Sequence, residues 1–326
     1  MFSRLLSLLQ LTRMALVFTA ISNGWAAMLL QAEATGRPWT WAYASAMTVA
    51  SVGLYTFGMA LNDLIDRRRD SQIAPNRPLP SGRISVRTAH GLCVALGAIS
   101  VAAGTWMAVL QPGQWVSVLV LIGTLSLICF YDFAGKYLVA AGLLTLGMIR
   151  FFHATIAAPS LAFPWHAILL LLHVTILSAT CYQLEGKRPR LTIRHWLTVA
   201  FGLIAVVGTL LWMLTSRYTR APGWEFVLNA TPMLRYVLPA VIAFIALTII
   251  LIWRSTDYRA AGRAAMLYGL LWLIVYDTCF VFAYVGWRPA IVIALLLPTA
   301  WLAVQAMRAW GRVVDLSTKP QYQRAR

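Results

Sequence analysis

The chain has 326 residues, 60% of them apolar and only 11% charged, with a mean hydropathy of +0.72. Soluble domains run nearer roughly 45–50% apolar and about 25% charged, which excludes a soluble two-domain protein. The net charge of +17 does not mark a nucleic-acid binder, because the basic residues flank apolar segments and form no continuous basic domain.

Ten apolar segments follow one another, at residues 11–31, 40–63, 88–110, 114–132, 137–158, 164–184, 196–215, 232–253, 264–286 and 289–310. Each is long enough to cross ~30 Å of hydrocarbon as a helix. The first has a basic start but no clear cleavage site, so it reads as a spanning helix and not as a signal peptide. Cys93, Cys129, Cys181 and Cys279 all lie inside apolar segments without metal or disulfide spacing, and are expected to be packing residues.

The connections alternate in charge. Of the 27 lysines and arginines, 21 fall on one side of the ten segments and five on the other, while Arg150 alone sits mid-segment. Basic residues collect on the cytoplasmic side, so both termini and the connection after the second segment are expected there. An integral, multi-pass protein of a bacterial inner membrane is the expected setting.

The second segment ends in "LNDLIDRRRDSQIAPNRPLPSGRIS", which places Asp63, Asp66 and Asp70 within eight positions in a chain with ten acidic residues. On a helix turning about 100° per residue, Asp66 lies about 60° from Asp63 and Asp70 falls between them, with Asn62 at the edge. Pro75, Pro78, Pro80 and Gly82 then end the helix, and Ser85 is placed to cap the next. The plainest reading is a solvated helix end, with Arg67, Arg68 and Arg69 pairing with the aspartates. That explains the arginines but not the one-sided carboxylates. Hard carboxylate oxygens at a membrane boundary suit Mg²⁺ together with substrate phosphates, and neighbouring arginines suit phosphate oxygens.

The sixth segment ends in "CYQLEGKRPR" on the same side. On an ideal helix Glu185 projects about 160° away from Gln183 and Lys187. Arg150 is mid-segment, where an unpaired charge costs ~2.5–3.5 kcal/mol on insertion scales. It is therefore expected either to make a structural salt bridge or, as the better reading, to face a polar interior site. His153, one turn on, is read as an interhelical hydrogen-bonder. Asp277 is read as equally able to pair with an arginine or to touch a substrate, and Asp132 and Asp257 as helix-end charges.

"NDLIDRRRD…RPLPSGRIS" resembles the first signature of the UbiA superfamily of membrane prenyltransferases, met at Asn62, Asp63, Asp66, Asp70, Arg77, Pro78, Pro80, Ser81, Gly82 and Arg83. "YDFAGKYLVAAGLLTLGMIRFFHA" is similar to the family's next landmark and places Tyr131, Lys136 and Arg150 near the site. The resemblance implies an all-α, polytopic transmembrane bundle of nine or ten helices around a central cavity. It implies a single domain over 1–326, with an Asp-rich loop at 62–87, a degenerate second motif at 181–194 and a short cytoplasmic tail at 311–326.

The implied reaction transfers a prenyl group from an isoprenyl diphosphate to an aromatic or lipid acceptor, with Mg²⁺ as cofactor, membrane lipids as surroundings and no nucleic acid. Asp63, Asp66 and Asp70 would organise the metal with Asn62 assisting. Arg77, Lys136 and Lys187 would neutralise the diphosphate, and Tyr131 would hydrogen-bond it. An aromatic-lined cavity would favour an allylic cation, with the 14 tryptophans as candidates, although most of them are expected to be packing residues or interfacial anchors.

The family's second motif carries two aspartates where this chain has Gln183 and Lys187. Three readings stay open. Lys187 replaces one metal as a fixed cation, or Glu185 serves after local unwinding, or the protein binds a prenyl lipid or diphosphate without transferring it. The Glu-Gly ending also resembles UbiA-like proteins of the Ebo type.

Overall fold

A computed structural model describes residues 2–111, 115–160, 163–187, 189–218 and 231–318. Arg188, Arg220, Lys319, Arg324 and Arg326 from the charge count lie outside the described residues, as do the end of the 311–326 tail and the side chains of Arg4 and Arg217.

The elements are helices throughout: α1 (Phe2–Leu11), α2 (Phe18–Thr35), α3 (Trp41–Ile73), α4 (Val86–Leu110), α5 (Trp115–Phe133), α6 (Val139–Ile156), α7 (Pro164–Leu184), α8 (Ile193–Tyr218), α9 (Leu238–Trp253), α10 (Tyr258–Tyr284), α11 (Trp287–Ala294) and α12 (Leu296–Thr318). A 3₁₀ turn at Met14–Leu16 leads into α2, and a π turn at Met233–Val237 leads into α9. Ten spans among the described residues are long and apolar enough to cross a membrane, with α11 and α12 sharing the tenth. The expected ten-segment pattern is therefore met.

Several boundaries follow local chemistry. Thr40 caps α3 by accepting from the Tyr43 amide at 3.2 Å, and Ser85 caps α4 by accepting from the Thr88 amide at 3.1 Å. Asp257 caps α10 through the Arg259 amide at 2.9 Å, as expected of a helix-end charge. Helix α3 runs on past residue 63 to Ile73, so all three motif aspartates are helical.

The bundle closes around α2, α3, α6, α7 and α10, with α4 laid along α3 and α12 against α2. Small residues permit close approach, the usual substitute for a hydrophobic driving force between helices in lipid. At Gly147 on α6, a Cβ would collide with the Leu171 carbonyl and Thr175 of α7. By contrast, the windows Ile193–Met213 and Met233–Trp253 are only 6% and 11% buried, so these two spans face outward.

Exposed tryptophans sit at span ends, among them Trp41, Trp115, Trp253 and Trp287, where an amphipathic ring suits the membrane interface. None of the described tryptophans lines the central cavity, which leaves them as the packing and interfacial residues that most were expected to be. Tyr55, Tyr131 and Tyr182 line it instead.

Candidate active site

The bundle encloses a cavity of about 440 Å³. Its walls are largely apolar, with Leu54, Leu143, Leu146, Val174 and Leu270 among them. Polar groups gather at one end from five places in the chain: Arg13, Asn62, Tyr131 with Asp132, Lys136, and Glu185 with Lys187.

The motif aspartates beside that end do not converge on one point. Asp63 and Asp70, 5% and 3% exposed, share Arg77, whose Nη1 lies 3.6 Å from Asp63 Oδ1 and 2.5 Å from Asp70 Oδ2. Arg13 adds a second contact to Asp63 at 3.3 Å. Asp66 turns instead to Lys136, with Nζ at 2.8 Å from its Oδ1 and 3.7 Å from Oδ1 of Asp132. Asn62 Nδ2 donates to the same Asp132 oxygen at 2.8 Å. The site therefore holds two carboxylate pairs, each bridged by a single cationic nitrogen.

Arg67, Arg68 and Arg69 form no ion pair among the described residues, and Arg67 donates to the Leu64 carbonyl at 3.1 Å. The solvated-helix-end reading thus fails, because the aspartates pair with Arg13, Arg77 and Lys136 instead, and Asp63 and Asp70 are buried. Arg83 has a different task. It donates to the Asn76 carbonyl, to Ser81, and to Ser7 and Gln10 of α1, fastening the loop to the N-terminal helix.

Helix α7 stops at Leu184 in a glycine-closed turn. Gly186, at φ +62°, donates to the Gln183 carbonyl, and the Lys187 amide donates to the Tyr182 carbonyl at 3.3 Å. This turn reverses the ideal-helix expectation for Glu185. Glu185 and Lys187 both line the cavity and pair with each other at 2.9 Å, while Gln183 points out.

Arg150 sits apart from the Asp-rich end. It lies eleven residues along α6 from Val139, about 17 Å at 1.5 Å per residue. Its Nη1 donates to Asn23 Oδ1 at 3.0 Å, its Nη2 donates to Thr19 Oγ1 at 3.1 Å, and the guanidinium stands 6.0 Å from the Tyr55 ring centre. Asn23 Nδ2 in turn donates to Asp277 Oδ2 at 2.6 Å. Asp277, wholly buried, also accepts from Ser22 and lies 2.6 Å from His166 Nε2. It neither pairs directly with an arginine nor lines the cavity. His153, 4% exposed, lines the cavity with Nε2 on Ser51 at 3.1 Å, but its Nδ1 has no partner.

The sequence reading missed Arg13, Asp132, Tyr55 and the Asn23–Asp277 link. Asp132 carried a usable signal, since it precedes Lys136 by four residues and carboxylates are scarce in the chain. No three His, Cys, Asp or Glu side chains among the described residues form a metal cluster. The donor chemistry still fits a hard divalent ion as two half-sites, Asp63 with Asp70 and Asp66 with Asp132, each needing further ligands from a substrate.

A bundle of ten membrane-length helices enclosing a largely apolar chamber with polar groups at one end defines the broad class, an integral, multi-pass membrane protein. The sequence matches the UbiA prenyltransferase family over residues 16–257, and the chain belongs to that family. Its fold is similar to that of a digeranylgeranylglyceryl phosphate synthase, at a TM-score of 0.59 and 15% identity over 87% of this chain and 98% of that one. Weaker likenesses are to an apo UbiA homolog from Aeropyrum pernix K1 (TM-score 0.43, 21% identity, 92% and 98% covered) and to a UbiA homolog from Archaeoglobus fulgidus bound to GPP and Mg²⁺ (0.44, 15%, 92% and 99%). No curated protein sequence matches the chain.

Proposed function

We propose that this protein transfers a prenyl group from an isoprenyl diphosphate to an aromatic or lipid acceptor and releases diphosphate, with a divalent ion, Mg²⁺, at the Asp-rich end. The observation that carries this reading is the polarity of the cavity. Its walls take hydrocarbon, and one end concentrates Arg13, Lys136 and Lys187 beside the carboxylates.

In the reaction the C1–O bond of the donor breaks and its electron pair leaves with the diphosphate. A bond forms between C1 and the acceptor's nucleophilic atom, which gives up a proton. Arg77, Lys136 and Lys187 stabilise the charge developing on the leaving group, a role worth most in a site that excludes water. Tyr131, which lines the cavity, would donate a hydrogen bond to it. Asp63, Asp66 and Asp70, with Asn62 and Asp132, would hold the divalent ion, which when bound supplies Lewis-acid stabilisation of the departing oxygens. The charge asymmetry of the loops supports placing this end at the cytoplasmic face.

The Glu185–Lys187 pair favours a second reading, binding without transfer, because it stands where a second carboxylate pair would otherwise be expected. Diphosphate release from a panel of allylic diphosphates by purified protein, with and without Mg²⁺, separates the two. Release that Asp66→Asn abolishes supports transfer, and Mg²⁺-dependent binding without release across the panel supports the carrier.

A further inference from the structure

The outer surface of the bundle carries a groove that prenyl transfer does not use. We propose that this groove, between α8 and α9, holds one phospholipid with a net negative headgroup. Its acyl chains would lie against α7 and its phosphate among the arginines at the end nearer the Asp-rich motif.

Helix α8 leans on α6, where Gly202 meets Leu144, and α9 leans on α10, where Trp272 Nε1 donates to the Ala240 carbonyl at 3.0 Å. The two are not a closely packed pair among the described residues. They leave one stripe of α7 uncovered. Ile176 is 52% exposed in the middle of a helix that is otherwise well buried, and Leu172, Thr180 and Gln183 share its face within about 40°. Residues about 60° to either side are covered. Ala179 is buried in a cluster with Val199 of α8, and the His173 ring meets Phe244 of α9 at 4.6 Å between centroids. The uncovered stripe therefore forms the floor of a groove whose walls are α8 and α9. From Leu172 to Gln183 it rises about 16 Å, close to the ~15 Å depth of one hydrocarbon leaflet.

One end of the groove is ringed by cations. Arg190 and Arg194 lie at the start of α8, Arg254 closes α9 and Arg259 opens α10. All four are exposed, and none makes an ion pair among the described residues. The acids beside them are already engaged, Glu185 with Lys187 at 2.9 Å and Asp257 with the Arg259 amide it caps. Trp253 and Tyr258, 83% and 63% exposed, bracket Arg254 and set this rim at the depth of lipid headgroups.

A one-sided excess of basic residues is needed for topology alone, but topology needs no groove beneath it. Four unpaired arginines over an apolar floor select an occupant with hydrocarbon below and negative charge above. A second copy of this chain fits poorly, because a symmetric contact would bring the same basic rim against itself. Guanidinium edges match phosphate oxygens, and each basic residue near an anionic headgroup strengthens binding about fivefold. A bound phosphate would also brace, from outside, the turn that carries Glu185 and Lys187 to the cavity.

The test is native mass spectrometry of the purified full-length protein, reconstituted with equal amounts of dioleoyl phosphatidylglycerol and dioleoyl phosphatidylcholine and then released into detergent. One phosphatidylglycerol per chain should be retained, at least tenfold over phosphatidylcholine. Combining Arg190→Gln, Arg194→Gln, Arg254→Gln and Arg259→Gln should bring the two lipids to parity. Ile176→Trp, which fills the floor and leaves the charges intact, should cut phosphatidylglycerol retention about tenfold. Excess inorganic phosphate should not displace the lipid.

Equal retention of the two lipids by the unaltered protein would overturn the proposal, as would retention that Ile176→Trp leaves unchanged. Displacement by inorganic phosphate would show an anion site without a lipid, and a dimer that Ile176→Trp dissociates would show a second copy in the groove; either contradicts the proposal. If the fourfold variant does not fold, the lipid preference of the unaltered protein and Ile176→Trp still decide. None of these readouts depends on prenyl transfer, so the two readings fail separately.

Discussion

Asn62 Nδ2 donates to Asp132 Oδ1 at 2.8 Å, tying the aspartate-bearing helix α3 to the end of α5 across 70 residues of chain. The bond brings a fourth carboxylate to the site, beside the cation that Asp66 also holds. Asp132 is 1% exposed and has no solvent to fall back on. Asp132→Asn is expected to lower diphosphate release about a hundredfold or more, close to the effect of Asp66→Asn, because each removes half of the same carboxylate pair. Steady-state release assays compare the two, and wild-type-like turnover in Asp132→Asn would return Asp132 to the status of a helix-end charge.

Arg13 combines strain with contact. It is the one described non-glycine residue at positive φ, +46°, and it lines the cavity while its guanidinium reaches Asp63, which does not. Such backbone strain, of order 1–3 kcal/mol, persists when the surroundings over-determine it. Arg13→Gly and Arg13→Ala both delete the ion pair, but only glycine relaxes the backbone. Both should raise the apparent Km for the donor about tenfold, while glycine should be more stable than alanine by about 1 kcal/mol in thermal unfolding. Equal unfolding temperatures for the pair would show that the left-handed turn carries no strain.

Gly186 controls the second motif. A side chain at its φ of +62° is disfavoured, so Gly186→Ala should destabilise the end of α7 by about 1 kcal/mol. It should also draw Glu185 and Lys187 out of the cavity. A cross-linker between cysteines at 185 and 62 that reacts in the parent and fails in the Gly186→Ala background would report the displacement; unchanged cross-linking would show that the turn does not set their position.

Gly147 tests the packing that keeps the cavity walls in register. Adding a methyl group there drives into the Leu171 backbone and Thr175. Gly147→Ala should cost about 1–3 kcal/mol, the range for overpacking, and Gly147→Leu more. Gly123 on α5, where a Cβ would meet open space, should accept alanine without loss. Thermal unfolding of the three variants checks the order.

Much of this architecture is legible in the sequence because lipid imposes length and apolarity on every span. The 164–184 segment matches α7 residue for residue, and the aspartate cluster stands out because carboxylates are rare in such a chain. What could not be read depends on contacts between distant segments. Asp132 looks like a helix end until Asn62 and Lys136 are seen to hold it. Glu185 looks misdirected when an ideal helix is extended through Gly186, although glycine is the residue that ends one. Arg13 reads as a flanking charge because nothing local reveals that its side chain turns inward to Asp63. His153, expected to be a satisfied hydrogen-bonder, is satisfied on one nitrogen only.

The central claim is that the carboxylates around Lys136 and Arg77 grip the leaving diphosphate of a prenyl donor through a divalent ion. The most direct measurement is the rate of diphosphate release from geranyl diphosphate by the purified protein, titrated with Mg²⁺ and repeated for Asp66→Asn. A rate that rises with Mg²⁺ and vanishes in the variant is the predicted result. A rate indifferent to both the metal and Asp66 would contradict the account.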